Sequence, residues 1–134
     1  MRLPRPVRHV SRIFVTKESW GSSVDAGARA DVTVRRLLAE EAETIHTLNK
    51  RARRRILQAL LTGGSVYLAQ SAGRVAHCKI IRTGRAHLRT CWLTLTLDPE
   101  EFYIEYAETT PEFRGQRITG LVTISSRHTL SCNR

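Results

Sequence analysis

A β-patterned run, FYIEYAETT, stops against Pro111 and passes through PEFRGQR into ITGLVTISS. Proline cannot donate to a sheet ladder, so a strand ends there. A strand that hands over through R-G-x-R to a helix leaves successive backbone N–H groups unpaired near the helix start, an arrangement that binds phosphate oxygens. Gly115 lets the backbone approach an anion without a Cβ clash, and Arg114 and Arg117 add charge-assisted donors. The last segment itself reads two ways. Ile118, Thr119, Val122, Thr123 and Ile124 are β-branched and favour a strand. Ile118, Leu121, Val122 and Ser125 share one helical face, and a strand after so short a connection has to be a hairpin partner.

Upstream, the pattern alternates between the two periods. Residues 1–30 (RLPRPVR, RIFVTKESW, GSSVDAGARA) read as an arm, a candidate strand and a linker, and the ordered domain is expected over 31–134. DVTVRRL has the β-branched alternation of a first strand. Leu38, Ala42, Ile45, Leu48, Ala52, Ile56, Leu57, Leu60 and Leu61 then recur at helical steps, with Gly63 and Gly64 as a C-cap, which predicts one bent helix or two successive ones. Glu40, Glu41 and Glu43 come early and Arg51–Arg55 late, matching the dipole of a single helix. SVYLAQ, the turn SAGR and VAHCKIIRTG predict a hairpin, and CWLTLTLD a further strand. The order strand, helix or helices, strand, strand, strand, strand, helix is a mixed α/β pattern with hairpins at its centre. There is no internal repeat and no low-complexity tract.

Length and composition set the outer bounds. The 134 residues fit one domain, and at 6% aromatics against 41% hydrophobics its core has to be aliphatic. Lys and Arg number 22 against 12 Asp and Glu, a formal charge of +10, which attracts phosphate-bearing partners. Coenzyme A, nucleic acid and anionic membranes all qualify. The lysines are Lys17, Lys50 and Lys79 alone, so an arginine-biased composition accounts for part of the charge. Cys78, Cys91 and Cys132 are odd in number and lack CxxC spacing, which points away from a disulfide framework or a zinc site and toward a reduced, cytoplasmic setting. No apolar stretch of about 18 residues predicts a membrane span, and the basic N-terminus lacks the apolar run of a signal peptide.

The segment Thr109–Gly120 resembles the acyl-coenzyme A pyrophosphate loop of the GCN5-related N-acetyltransferases, in which a strand and a Pro-Glu-aromatic step lead to R/Q-x-x-G-x-G/A at a helix start. Pro111-Glu112-Phe113 and Arg114-Gly115-Gln116-Arg117-Ile118-Thr119 stand at the corresponding positions, with Arg117 at the family's second glycine and Thr119 at its final Gly or Ala, and Gly120 displaced by one. The resemblance implies an acyl-CoA N-acyltransferase-like fold, a mixed and mostly antiparallel sheet with flanking helices. It also implies acetyl-CoA as cosubstrate and transfer of the acetyl group to an amine, on a small molecule or a peptide, by direct attack. Coenzyme contacts are implied for Thr109, Thr110, Arg114, Gly115, Gln116, Arg117, Ile118, Thr119 and Gly120. Main-chain groups of Glu108, Thr109 and Thr110 are implied to pair with the pantetheine arm. The family continues after this helix with further strands and a helix, and only SSRHTLSCNR follows here. The expectation is therefore a partial domain with its C-terminal part missing, either inactive or completed by a second chain.

Glu105 and Glu108 are the carboxylates nearest the implied acyl group, and either can deprotonate an amine if burial raises its affinity for the proton. Strand alternation puts them on opposite faces, and Glu105 is favoured. Tyr103 and Tyr106 are candidate acids for the leaving thiolate, though strand aromatics more often pack. Arg51–Arg55 read first as a solvated helix end; the alternative function is a small basic nucleic-acid-binding module that uses them with the N-terminal arm. His9, His46, His77, His87 and His128 are dispersed and suggest no metal. Ser125, Ser126 and His128 form no triad by sequence proximity. Cys78 reads as packing, and Trp20 and Trp92 as core.

Overall fold

The computed structural model describes residues 31–89, 91–120 and 122. The arm, strand and linker expected over 1–30, with His9 and Trp20, lie outside these residues, as do Leu121, Ser125, Ser126, His128 and Cys132.

The fold is mixed α and β. Strand β1 (Thr33–Arg36) is followed by a 3-10 segment (Ala39–Ile45), helix α1 (Lys50–Leu61), and strands β2 (Ser65–Ser71), β3 (Arg74–Arg82), β4 (Arg85–Leu88), β5 (Leu93–Thr96) and β6 (Tyr103–Thr109). An antiparallel sheet has the order β1-β2-β3-β6, and β4 pairs with β5 in a separate two-stranded sheet. β4 is a strand that the sequence pattern did not separate from its neighbours. Among the described residues no helix is long and apolar enough to cross a membrane.

The helical spacing splits into two successive elements at Asn49. This residue is extended (φ −64, ψ 160), and its side-chain oxygen accepts the Ala52 N–H at 2.9 Å, so it caps α1 and forces the break. The break overturns the expected match of charge to a single dipole. Arg51, Arg53, Arg54 and Arg55 now occupy the first half of α1, where cations oppose the dipole, and its first turn holds no acid. At the other end Gly63 (φ +81) follows the C-cap Thr62, and the Gly64 N–H reaches the Ala59 carbonyl at 2.8 Å, the 6→1 bond of a Schellman ending.

β3 is buried along almost its whole length because the sheet is covered on both sides. On one side Val66, Leu68, Cys78 and Ile80 pack with Ala52, Ile56 and Ala59 of α1 and with Ile45 and Leu48. On the other Tyr67, Ala69, Ala76 and Ile81 pack with Ile118 and Val122. Residues 118–120 and 122 are helical, so the four-residue step from Ile118 to Val122 prevails over β-branched propensity by burying both side chains. Trp92, expected in the core, is 82% exposed on the turn between β4 and β5, with φ at +55. The core is mainly aliphatic, as the low aromatic content requires, with Tyr67 the one fully buried aromatic among the described residues.

Candidate functional site

The segment after β6 is pinned before it turns. Thr110 donates its N–H to the Ala76 carbonyl at 2.9 Å and its hydroxyl to the Val75 carbonyl at 2.9 Å. Pro111–Phe113 then form one 3-10 turn, as proline at a first helical position favours. Arg74, beside the β2–β3 turn, braces this turn from outside. Its two terminal nitrogens meet the two Glu112 carboxylate oxygens at 2.7 and 2.6 Å, and its guanidinium stands 6.0 Å from the Phe113 ring centroid. Gly115 (φ +76) and Arg117 (φ +58) are both left-handed, and the helix begins at Ile118. For arginine this backbone is uncommon, while for glycine it costs nothing. Arg114, Gly115, Arg117, Thr119 and Gly120 are exposed, Gln116 is half-buried and Ile118 is buried. A Cβ on Gly115 would meet no atom within 4 Å.

Beneath this loop the sheet carries polar side chains at almost full burial. Lys79 is 1% exposed and donates from Nζ to the Thr119 carbonyl at 3.1 Å, tying the first helical turn to β3. Burial lowers its pKa to about 8. His77, also 1% exposed, places Nδ1 2.8 Å from the Thr109 hydroxyl, and burial, with the Lys79 charge adding to it, lowers its pKa to about 4. At neutral pH this imidazole is uncharged. Among the described residues, Tyr67 Oη and His77 Nε2 are buried with no hydrogen-bond partner.

The two candidate carboxylates are not related by simple alternation. β3 and β6 pair in register from His77↔Thr109 to Ile80↔Tyr106 and then jump to Ile81↔Ile104, which leaves Glu105 as the extra residue of a β-bulge. The bulge corrects the expectation that Glu105 and Glu108 face opposite ways, since both are tied to α1. Glu105 forms an ion pair with Arg82, whose terminal nitrogens donate to the carbonyl and hydroxyl of Thr62, each at 2.8 Å, at the C-cap of α1. Glu108 accepts from Asn49 Nδ2 at 2.5 Å at the N-cap, and from the Tyr106 hydroxyl through its other oxygen. Burial first, then the bond to Glu108, pushes the Tyr106 hydroxyl up to about 12, so it holds its proton and serves Glu108 as a donor. Cys78, opposite Glu108 in the register, is fully buried, and its thiol is likewise pushed up to about 12 by burial.

The structure thus runs Thr109–Gly120 from the end of β6, an edge strand among the described residues, through a 3-10 turn and a left-handed stretch to a helix start, with Glu108 immediately before it and Glu105 engaged further back. Of the main-chain groups at the strand end, the Thr110 N–H is committed to Ala76, and the Thr109 carbonyl accepts Arg114 Nε at 3.3 Å. Sequence reading missed Asn49, Arg74, His77, Lys79 and Arg82. Only Asn49 had a local signal, a capping residue directly before KRARRR. The others act across the sheet, over separations that spacing does not reveal. Among the described residues no group of three or more His, Cys, Asp or Glu stands close enough to hold a metal ion. Compared with models of protein families, with curated proteins and with solved structures, the chain matches none.

Proposed function

We propose that this chain is an acyl-coenzyme A-dependent N-acyltransferase domain of the GCN5-related kind, with the acyl-CoA N-acyltransferase-like fold, and that it transfers acetyl from acetyl-CoA to an amine by direct attack. The observation that carries the reading is the left-handed backbone at Gly115 and Arg117 directly before the helix start at Ile118. Left-handed residues turn neighbouring N–H groups toward a common point where phosphate oxygens are held. Arg117 stands where the resembling family has a glycine, and its φ of +58 lies in the left-handed region that glycine enters at no steric cost. The loop conformation thus accommodates the change of side chain, and the Arg117 guanidinium becomes a further cation beside Arg114.

The fit to the coenzyme extends along the strand. β6 is an edge strand in the order β1-β2-β3-β6, so among the described residues its outer main-chain groups have no strand partner and suit an extended amide-bearing arm. The bound thioester supplies the activated acyl group. Glu108 is the base in this reading, because Glu105 is held by Arg82 while Glu108 stands at the strand end next to the loop. Its carboxylate takes the proton from the attacking amine, directly or through one water. Tyr106 orients that carboxylate and does not act as the acid for the leaving thiolate, since its proton is held too tightly.

Isothermal titration with acetyl-CoA tests the reading. Binding is expected, with Arg114→Ala weakening it by about tenfold through loss of one charge-assisted contact. No heat and no thermal shift with wild-type protein would overturn it.

A second reading, a basic nucleic-acid-binding module, is favoured by one observation: exposed Lys50, Arg51, Arg53 and Arg54 open α1 with no acid in its first turn. Affinity for single-stranded RNA or DNA that falls steeply between low and physiological salt supports it, and no binding at low ionic strength removes it.

A further inference from the structure

We propose that Asn49 is a positioning residue for Glu108, fixing this carboxylate at the start of α1 for proton transfer; the inference rests on the acyl-transfer reading. The argument begins with the helix cap. Asn49 Oδ1 accepts the Ala52 N–H at 2.9 Å, and an amide has only one acceptor end. Capping therefore decides which way round the amide sits, and the Nδ2 donor is left facing β6. There it meets Glu108 Oε1 at 2.5 Å, across a separation of 59 residues.

The second oxygen of the same carboxylate takes the Tyr106 hydroxyl from β6 itself. Each oxygen thus has one donor, from two different elements, so both the position and the plane of the carboxylate are set. Each oxygen keeps a further lone pair for an amine or a bridging water. Against the carboxylate stand Asn49, Tyr106 and, across the β3–β6 ladder, Cys78, and the charge of Arg51 is felt at Tyr106. Tyr106 and Cys78 are both held protonated, so neither brings a negative charge to Glu108 at neutral pH. A cap that served the helix alone has no need of its second amide end, whereas here that end makes one of the contacts between α1 and β6.

Two substitutions separate capping from positioning. Asn49→Ser keeps a good N-cap and removes the amide donor. Asn49→Asp keeps the cap and sets a second carboxylate against Glu108. Both variants are expected to retain the wild-type melting temperature within a few degrees. Followed by carbon NMR of the Glu108 carboxyl in the full chain, the titration midpoint is expected to rise in both, by about one pH unit in Asn49→Asp. In amine acetylation assays Asn49→Ser is expected to lower kcat about tenfold with an unchanged KM for acetyl-CoA. An unmoved midpoint in both variants overturns the proposal. A shifted midpoint in protein that acetylates no amine leaves the coupling of Asn49 to Glu108 standing and overturns the acyl-transfer reading instead.

Discussion

Buried polar side chains behind the loop dominate at the residue scale. His77 has its pKa lowered to about 4 against an ordinary value of 6.5, because burial disfavours the imidazolium. The fold therefore prefers the neutral ring. The associated stability is fully present above about pH 6.5 and is lost as pH falls toward 4. Lys79 is lowered from 10.5 to about 8, so the fold also prefers the neutral amine, and stability rises as pH climbs from about 8 toward 10.5. Urea denaturation across this range is expected to show both limbs, with His77→Gln flattening the acid one and Lys79→Met the alkaline one. Tyr67 gives a simpler case. Its hydroxyl is buried with no partner among the described residues, so Tyr67→Phe removes a desolvation cost and is expected to leave stability unchanged or to raise it by about 1 kcal/mol in the same measurement. None of these positions is marked by its local sequence. A histidine and a lysine two apart on a strand look like surface residues until the helix at Ile118 covers that face.

Elements carry the expectations that succeeded and the ones that failed. The hairpin SVYLAQ-SAGR-VAHCKIIRTG is legible because Gly73 marks a turn between two β-patterned runs, and β2 and β3 pair as read. Its turn is less than ideal, since Ala72 (φ +50) and Gly73 (φ +74) are both left-handed, the signature of a type I′ turn, and alanine is strained there. Ala72→Asn is expected to stabilise the protein by about 0.5–1 kcal/mol, seen as a higher urea midpoint at unchanged slope. The split of the long helical pattern shows the limit of periodicity. Apolar steps of three and four run straight through Asn49, and only the cap chemistry of that residue ends one element and starts the next. The bulge at Glu105 is of the same kind, invisible in an alternating run yet decisive for which carboxylates share a side.

For the whole molecule, the main device is the attachment of β6 to both ends of α1. Glu108 meets Asn49 at the N-cap, and Glu105 with Arg82 meets Thr62 at the C-cap. Arg82→Met removes both the ion pair and the bonds to Thr62 and leaves a half-buried carboxylate without its cation. The expected cost is about 1–3 kcal/mol, measured by thermal or urea unfolding. Net charge acts at the same scale. At +10 the folded chain repels itself, so the melting temperature is expected to rise between about 10 and 200 mM sodium chloride as screening sets in.

What the sequence alone determined is local. The strand that stops at Pro111 and the glycine-bearing turns follow from groups a few residues apart, and the mainly aliphatic core from composition. The tertiary structure decided the rest: the left-handed backbone at Arg117, the exposure of Trp92, the burial of His77 and Lys79, and the bond from Asn49 to Glu108. The physical reason is that these features depend on strand register and on which faces become covered. Both are set by contacts between residues distant in the chain, which no spacing within the chain encodes.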